Sequence, residues 1–170
     1  RDFKVGFAPD SFDWIIAVCI AFGFSRKMLA LSGMAILKDT GSEHIYDRFR
    51  ARLIIPIYDS LGRIVGFGGR VLKKGEQPKY LNSPDSPVYS KSEVLYGYNF
   101  AKDAIKKTGN VILVEGYFDV MMLHQAGIKN VVATSGTALT IQQIKLLKRF
   151  TKDFILCFNT DNAGIEAAKR

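Results

Sequence analysis

The stretch VILVEGYFDVMMLHQAGIKNVVATSGTALTIQQIKLLKRFTKDFILCF, residues 111–158, alternates short apolar runs with longer segments of mixed polarity. The apolar runs have the length of buried strands, and the mixed segments have the spacing of helices. The predicted elements are strands at 111–114, 131–134 and 154–158 and helices at 117–125 and 142–150, the last capped by Thr140. Strands that alternate with helices in this way predict an α/β fold with a parallel sheet.

The part of the chain before residue 110 mixes helical and strand patterns, which predicts an α+β arrangement. The runs ARLIIPIYD (51–59) and RIVGFGGRVL (63–72) flank a Ser-Leu-Gly turn and predict an antiparallel hairpin, with Pro56 favouring an edge position for the first strand. Helices are predicted from Phe12 to Ala21 with Asp10-Ser11 as the cap, from a Ser25 cap to Leu31, and from an Asn99 cap to Lys107. The first two helices are mostly apolar, so we expect them to be buried, and we expect residues 73–92 to form a loop that contacts a ligand.

Composition excludes several classes of protein. With 48% hydrophobic residues among 170, the chain carries too much apolar material for a disordered segment. Its two cysteines provide no disulfide or zinc framework. The most apolar run, residues 14–24, is about half the length that a bilayer-spanning helix needs, so we expect a cytoplasmic protein. Because the chain starts at Arg1 and ends within the helical pattern GIEAAKR, we expect it to be part of a longer protein.

Positive charge is concentrated in the middle of the chain. The formal net charge is +8, and residues 48–108 hold twelve Lys and Arg against five Asp and Glu, a net charge of +7. A segment with this charge is suited to binding a polyanion such as nucleic acid. The alternative interpretation is that these residues form an ordinary solvated basic surface.

Acidic residues follow two of the three predicted parallel strands. Ligands bind outside the carboxyl ends of such strands, where this sequence places Glu115 after the first strand and Asp161 after the third. Asp119 lies four residues after Glu115, in the first turn of the next helix. Carboxylates on one rim are the ligands that Mg²⁺ requires. The alternative is that Asp119 complements a helix dipole and Asp161 caps the last helix, which leaves Glu115 unexplained.

Other chemistries have less support. The chain contains no GxxxxGK[ST] loop, so the glycines of GFGGR (66–70) indicate a strand approached closely by another backbone or by a ligand. His44 and His124 are isolated in the sequence and are interpreted as surface or packing residues. Neither cysteine has a basic neighbour in the sequence that would activate a nucleophile.

Several of these motifs occur together in one known family. VEGYFDV (114–120) and NTDNAG (159–164) resemble the Toprim pattern of primases, topoisomerases and some nucleases. Upstream, VGFAP (5–9), YDRFRAR (46–52), GRIVGFGGRVL (62–72) and PKYLNSP (78–84) resemble, in order and spacing, the blocks of the bacterial DnaG-type primase RNA polymerase domain. The resemblance covers nearly the whole chain.

The resemblance implies an N-terminal α+β subdomain over residues 1–109 and an incomplete α/β Toprim subdomain over residues 110–170. It also implies that the zinc-binding domain, the rest of the polymerase core and the helicase-interacting domain lie outside this chain. The implied activity is template-directed synthesis of short RNA primers from nucleoside triphosphates on single-stranded DNA, during bacterial DNA replication. The replicative helicase and the single-strand binding protein would be partners through the absent regions, with no membrane involved.

The resemblance also assigns roles to residues. The Mg²⁺ or Mn²⁺ site, with two ions expected, would be formed by Glu115, Asp119, Asn159 and Asp161, and Glu115 and Asp161 would be catalytic. Asn159 stands where the family has an aspartate, so weaker metal binding is expected because an amide oxygen carries no charge. The template, primer and triphosphate would be bound by Arg48, Arg50, Arg52, Arg70, Lys79, Tyr80 and Asn82.

Two alternatives to a primase are considered. A topoisomerase or nuclease could use the same metal rim, but it would need a catalytic tyrosine or a hydrolytic arrangement that the sequence does not display. A degenerate Toprim protein could bind single-stranded DNA or a helicase without polymerising, and Asn159 is the residue that favours this alternative.

Overall fold

The computed structural model of the protein describes residues 2–39, 44–73, 75, 77–134, 136 and 138–158. The chain divides into two compact units, and each is described by itself. The first unit comprises residues 1–57 and 64–90, and the second comprises residues 58–63 and 91–170.

The elements in chain order are β1 (Gly6–Ala8), α1 (Trp14–Ala21), α2 (Arg26–Leu31), β2 (Ala35–Leu37), β3 (Ile45–Asp47), β4 (Arg52–Tyr58), β5 (Ile64–Val71), β6 (Tyr80–Asn82), α3 (Tyr98–Thr108), β7 (Asn110–Val114), α4 (Tyr117–Gln125), β8 (Val131–Ala133), α5 (Ile141–Leu147) and β9 (Asp153–Leu156).

The first unit is built on a four-stranded sheet with the order β1-β4-β5-β6. The predicted pair of strands, β4 and β5, lies at the centre of this sheet. β1 pairs antiparallel with β4, and β6 pairs antiparallel with β5. Strands β2 and β3 form a separate antiparallel ribbon. The predicted α+β arrangement of this part is confirmed, while the loop expected over residues 73–92 contains the short strand β6.

The edge position predicted from Pro56 is wrong for the strand as a whole. β4 lies between β1 and β5, so it is an interior strand of the sheet. The register with β1 runs from Ala8 opposite Arg52 to Gly6 opposite Ile54, and Pro56 lies beyond it. The proline is tolerated because β1 is short and its pairing ends before the position that lacks an N–H group.

Helices α1 and α2 are not buried as their composition predicted. Only Ile16 in α1 and Leu29 in α2 are buried, and they pack with Ala35 in a small core. The side chains of Phe22 and Leu31 are 78% and 56% exposed. The prediction failed because α1 is apolar on all sides, and the neighbouring elements of this unit cover one side of it.

The N-terminus of α1 is capped by a distant carboxylate rather than by the predicted Asp10-Ser11. The helix begins one residue after Asp13, whose side chain makes no capping hydrogen bond. The side chain of Asp47 accepts hydrogen bonds from the backbone N–H groups of Ile15 at 2.7 Å and Ile16 at 3.1 Å. Asp47 is 2% exposed, so α1 depends on a buried residue at the end of β3. The Ser25 cap of α2 is confirmed by a hydrogen bond from the Met28 N–H at 3.3 Å.

The second unit contains the predicted parallel sheet, with the order β8-β7-β9. β7 pairs in parallel with β8 and with β9, and all three strands lie close to their predicted positions. Helix α4 has the predicted bounds, whereas α5 ends three residues earlier than predicted. The core of this unit is formed by Leu95, Tyr98, Ala101, Ile105, Val111, Leu113, Val132 and Leu147.

Two helix caps in the second unit show where local patterns succeed and fail. Thr140 caps α5 as predicted, because its hydroxyl accepts from the Gln143 N–H and the Gln143 side chain accepts from the Thr140 N–H, both at 3.1 Å. Asn99 does not cap α3, because the cap is Gly97, which has a φ of 82°. A Cβ atom at Gly97 would lie 2.8 Å from Val120 Cγ1, so the close packing as well as the backbone requires glycine.

No helix among the described residues is both long enough and apolar enough to cross a membrane.

Candidate functional site

Two carboxylates lie at the carboxyl end of the central parallel strand. Glu115 directly follows β7 and is half-buried, and Asp119 is exposed in the first turn of α4, as the sequence predicted for both. Asp119 Oδ2 accepts a hydrogen bond from the Gly116 N–H at 2.9 Å. This bond fixes the Asp119 carboxylate at the start of α4 and engages one of its two oxygens. A carboxylate that only capped the helix would make the same bond.

The other proposed ligands follow β9. Leu156 pairs with Leu113, and the Cys157 N–H donates to the Leu113 carbonyl at 2.8 Å, so β9 ends at the same edge of the sheet as β7. Asn159 and Asp161 themselves lie outside the described residues, and their metal-binding role stays a prediction. Within the described ranges, no three His, Cys, Asp or Glu side chains form a group that could hold a metal.

The donor atoms at this edge suit a hard divalent cation. Glu115 and Asp119 offer carboxylate oxygens, which are the ligands that Mg²⁺ and Mn²⁺ prefer. Such ions are commonly held by one or two carboxylates together with water and substrate phosphates. The residues present therefore fit the predicted metal, and the set would be completed by residues beyond 158.

A buried aromatic pair supports the start of α4, and no local sequence pattern predicts it. The rings of Tyr96 and Tyr117 lie 4.7 Å apart at an interplanar angle of 85°, an edge-to-face contact. Both residues are at most 2% exposed, and Tyr96 also exchanges backbone hydrogen bonds with Ala133 at the end of β8. Burial raises the pKa of the Tyr96 phenol far above its ordinary value.

The first unit holds the predicted polyanion-binding residues, and three of them share one face of its sheet. Arg70 in β5 lies opposite Tyr80 in β6, and its guanidinium carbon is 5.6 Å from the centre of the Tyr80 ring. Asn82 lies opposite Gly68 in the same register, on the same face as Arg70 and Tyr80. The side chain of Lys79, just before β6, is exposed. This face combines a cation with an aromatic ring, a pairing suited to phosphates and bases.

Two other predicted binding residues contact backbone carbonyls. Arg48 Nε and Nη2 donate to the carbonyl oxygen of Asn82 at 3.2 and 3.0 Å. Arg52 is 8% exposed, and its Nη1 donates to the carbonyl of Pro78 at 2.9 Å. Burial lowers the pKa of the Arg48 guanidinium below its ordinary value. The predicted contact of these arginines with nucleic acid stays a prediction.

Arg50 is held by neighbours in its own unit. Its guanidinium carbon lies 4.5 Å from the centre of the Phe12 ring and 5.4 Å from that of the Tyr46 ring, and its Nη1 donates to the Asp47 carbonyl. Phe12 is 65% exposed, so this cation and its aromatic neighbours form part of the surface of the unit.

Two glycines of the GFGGR motif are approached closely, as the sequence suggested, and the approaching atoms of this chain belong to side chains rather than to another backbone. A Cβ atom at Gly69 would lie 2.7 Å from Phe49 Cδ1 and 3.1 Å from Arg52 Cδ. A Cβ atom at Gly66 would lie 3.2 Å from the Tyr89 ring. Glycine at these two positions lets large side chains pack directly on the two faces of β5.

The folds of both units agree with comparisons to known proteins. Residues 109–170 match the Toprim domain, the class of domain that the acidic rim of the parallel sheet suggests. Residues 1–102 match the N-terminal domain of the DNA primase catalytic core. The chain belongs to the bacterial DnaG-type DNA primase family.

Individual relatives support this assignment. The chain is 44% identical over 173 aligned residues to the DNA primase of Synechococcus elongatus, covering 100% of this chain and 25% of that protein. It is 36% identical to the RNA polymerase domain of Mycobacterium tuberculosis primase DnaG, with a TM-score of 0.90 over 99% of this chain and 57% of that one. A DnaG primase catalytic domain bound to single-stranded DNA is 41% identical, with a TM-score of 0.84 over 98% of this chain and 51% of that one. The chain thus spans about a quarter of the length of the curated relative.

Proposed function

We propose that the protein containing this chain synthesises short RNA primers on a single-stranded DNA template. The 3′-oxygen of the growing strand attacks the α-phosphorus of the next nucleoside triphosphate, the bond to the β-phosphate breaks, pyrophosphate leaves and the hydroxyl proton passes to solvent. The observation that carries this proposal is the position of Glu115, at the end of the central strand of a Toprim sheet that follows a primase catalytic-core domain.

We propose that Glu115, Asp119, Asn159 and Asp161 hold Mg²⁺ or Mn²⁺, as two ions, with Glu115 and Asp161 essential for catalysis. Membership of the Toprim family implies use of a divalent metal in general. When bound, such ions neutralise the phosphates and favour the ionised 3′-oxygen. Asp119 enters the site with its carboxylate already oriented by the Gly116 N–H. Asn159 supplies an oxygen without a negative charge, so higher metal concentrations should be needed than with aspartate.

The first unit would bind the polyanions. Arg70 and Lys79 contribute positive charge for the template backbone and the triphosphate, Tyr80 offers a ring on which a base can stack, and Asn82 can hydrogen-bond a sugar or a base edge. The pairing of Arg70 with Tyr80 on one sheet face supports this assignment. The related catalytic domain bound to single-stranded DNA supports the choice of template.

The wider context is proposed on the same basis. The proposed boundary between the α+β and Toprim subdomains, at residues 109 and 110, is close to the start of the Toprim match at residue 109, whereas the compact units divide at residues 90 and 91. The replicative helicase and the single-strand binding protein contact other parts of the protein, which acts in the bacterial cytoplasm at the replication fork.

The test is a primer-synthesis assay with the protein in its natural full length. The protein is incubated with a single-stranded DNA template, labelled ribonucleoside triphosphates and either Mg²⁺ or Mn²⁺, and short labelled RNA is expected only when the template is present. Template binding without any synthesis at high Mn²⁺ would overturn the proposal and support the second candidate, a degenerate Toprim protein that only binds DNA. The observation that favours this second candidate is Asn159, which stands in place of an aspartate.

A further inference from the structure

Residues 78–82, here called the 78–82 segment, carry three of the proposed DNA-binding residues: Lys79, Tyr80 and Asn82. One side of this segment is paired with β5, where Tyr80 lies opposite Arg70 and Leu81 lies opposite Gly69. The segment lies at the end of the sheet order, so β5 is its one strand neighbour among the described parts of the chain. Contacts on its other side can therefore add to the hold that strand pairing provides.

Two arginines hold the ends of the 78–82 segment. Arg52 Nη1 donates to the carbonyl of Pro78 at the first residue, at 2.9 Å. Arg48 donates from Nε at 3.2 Å and Nη2 at 3.0 Å to the carbonyl of Asn82 at the last residue. Both arginines come from the YDRFRAR motif, so one short stretch of sequence fixes both ends of another. A planar guanidinium suits this task because its N–H groups have a fixed geometry.

Burial separates Arg52 from Lys79 and Tyr80, while Arg48 is half-buried. Arg52 is 8% exposed, and its stem packs against Gly69, where a Cβ atom would lie 3.1 Å from Arg52 Cδ. Tyr80, by contrast, is 39% exposed, and Lys79 is also exposed. A phosphate would therefore have little access to the Arg52 guanidinium, and a contact that drew Arg52 outward would take its Nη1 donor away from the Pro78 carbonyl.

We propose that Arg48 and Arg52 are positioning residues that clamp the 78–82 segment so that Lys79 and Tyr80 meet single-stranded DNA, without contacting the DNA themselves. This inference rests on the proposed function. It revises the roles that the sequence suggested, in which both arginines bound the polyanion directly.

Salt dependence distinguishes a clamp from a direct contact. Each lost phosphate contact to a single strand lowers the slope of log affinity against log salt by about 0.7. Arg48→Gln and Arg52→Gln should each weaken binding of a labelled oligodeoxynucleotide by about tenfold, because charged hydrogen bonds are lost, yet leave the slope at the wild-type value. Lys79→Ala should lower the slope. A slope lowered equally by the arginine variants would overturn the proposal.

Conservative and double variants separate positioning from charge and from general stability. Arg48→Lys keeps the charge but cannot reproduce the two-nitrogen contact, so it should bind DNA as weakly as Arg48→Gln; full rescue by lysine would contradict the clamp. Lys79→Ala should weaken binding less in the Arg48→Gln background than in the wild type, because the segment is already displaced. Equal effects in both backgrounds would also contradict it.

The matched control is Leu29→Ala, which removes a side chain that is 3% exposed in the small core of the same unit. It should lower thermal stability but leave DNA affinity and the effect of Lys79→Ala unchanged. If Arg52→Gln does not fold, the Arg48 variants carry the test alone. Failure of the wild-type protein to bind single-stranded DNA would refute the proposed function, whereas binding with a lowered slope in the arginine variants would refute only the clamp.

Discussion

The parallel sheet of the second unit and the antiparallel sheet of the first unit place their polar residues in different ways. In the parallel sheet, Glu115 lies directly beyond the end of β7, so its position follows from chain order alone. In the antiparallel sheet, Arg70 and Tyr80 meet because two strands pair in one particular register. A site at strand ends is therefore visible in a local sequence pattern, whereas a site on a sheet face depends on contacts that only the folded register creates.

The largest expected effect tests the strand-end site. Glu115→Gln should reduce the rate of primer synthesis by about 100-fold or more, because removal of a proposed metal ligand would give up several kcal/mol of charge stabilisation. DNA affinity should change little, since the proposed polyanion-binding residues lie in the first unit. The measurement is the initial rate of labelled primer formation at saturating template.

Glu93→Gln is the matched control, because Glu93 is an exposed glutamate of the same unit outside the rim. Its rate should equal that of the wild type. A Glu115→Gln rate within threefold of wild type would remove Glu115 from the proposed metal site. The parallel sheet would then have no demonstrated site at the end of β7 to compare with the sheet face of the first unit.

The next effect tests the packing against the antiparallel sheet. Gly69→Ala places a Cβ atom 2.7 Å from Phe49 Cδ1, so the ring must shift, and we expect a loss of about 2–3 kcal/mol in the free energy of unfolding. Gly6→Ala in β1 meets nothing within 4 Å and should change stability by less than about 0.5 kcal/mol. Urea unfolding of both variants provides the measurement, and equal stabilities would show that the close approach at Gly69 is unimportant.

A slightly smaller effect is expected at the distant cap of α1. Asp47→Ala removes a buried carboxylate that accepts hydrogen bonds from Ile15 and Ile16, and should cost about 2 kcal/mol. Asp47→Asn retains one oxygen acceptor and should cost roughly half as much. Thermal unfolding followed by far-ultraviolet circular dichroism checks both, and an unchanged midpoint for Asp47→Ala would show that α1 does not depend on this cap.

The smallest effect concerns the local cap of α5. Thr140→Ala removes one half of a reciprocal pair with Gln143 and should cost about 1 kcal/mol. Ordering the two caps by their cost sharpens the comparison, since the long-range cap of the first unit should matter more than the local cap of the second. A larger loss at Thr140 than at Asp47 would reverse that order.

The second unit was predictable in most of its elements because its signals are local. Short apolar runs gave β7, β8 and β9, and Thr140 marked the start of α5. The prediction that Asn99 caps α3 was wrong. The cap is Gly97, where the close approach of Val120 from a later helix requires glycine. The roles of Asn159 and Asp161 stay predictions.

The first unit was predictable in its central strands but less so in its contacts. The sequence could not show the carbonyl acceptors of Arg48 and Arg52, because these lie 34 and 26 residues away along the chain. The predicted contact of both arginines with nucleic acid stays a prediction. The prediction that α1 and α2 are buried was also wrong. Composition indicates how apolar a helix is but not how much of it neighbouring elements cover. The cap by Asp47 crosses 31 and 32 residues, a separation at which no local pattern operates.

The guanidinium of Arg48 has a further consequence for the outermost strand of the first sheet. An open strand edge offers carbonyl groups that can recruit a strand from another molecule and so begin aggregation. Two N–H groups of Arg48 occupy the carbonyl of Asn82, at the end of β6. At that point the edge is closed to an incoming strand by a charged side chain, so the same residue that secures the strand also guards against intermolecular β-pairing.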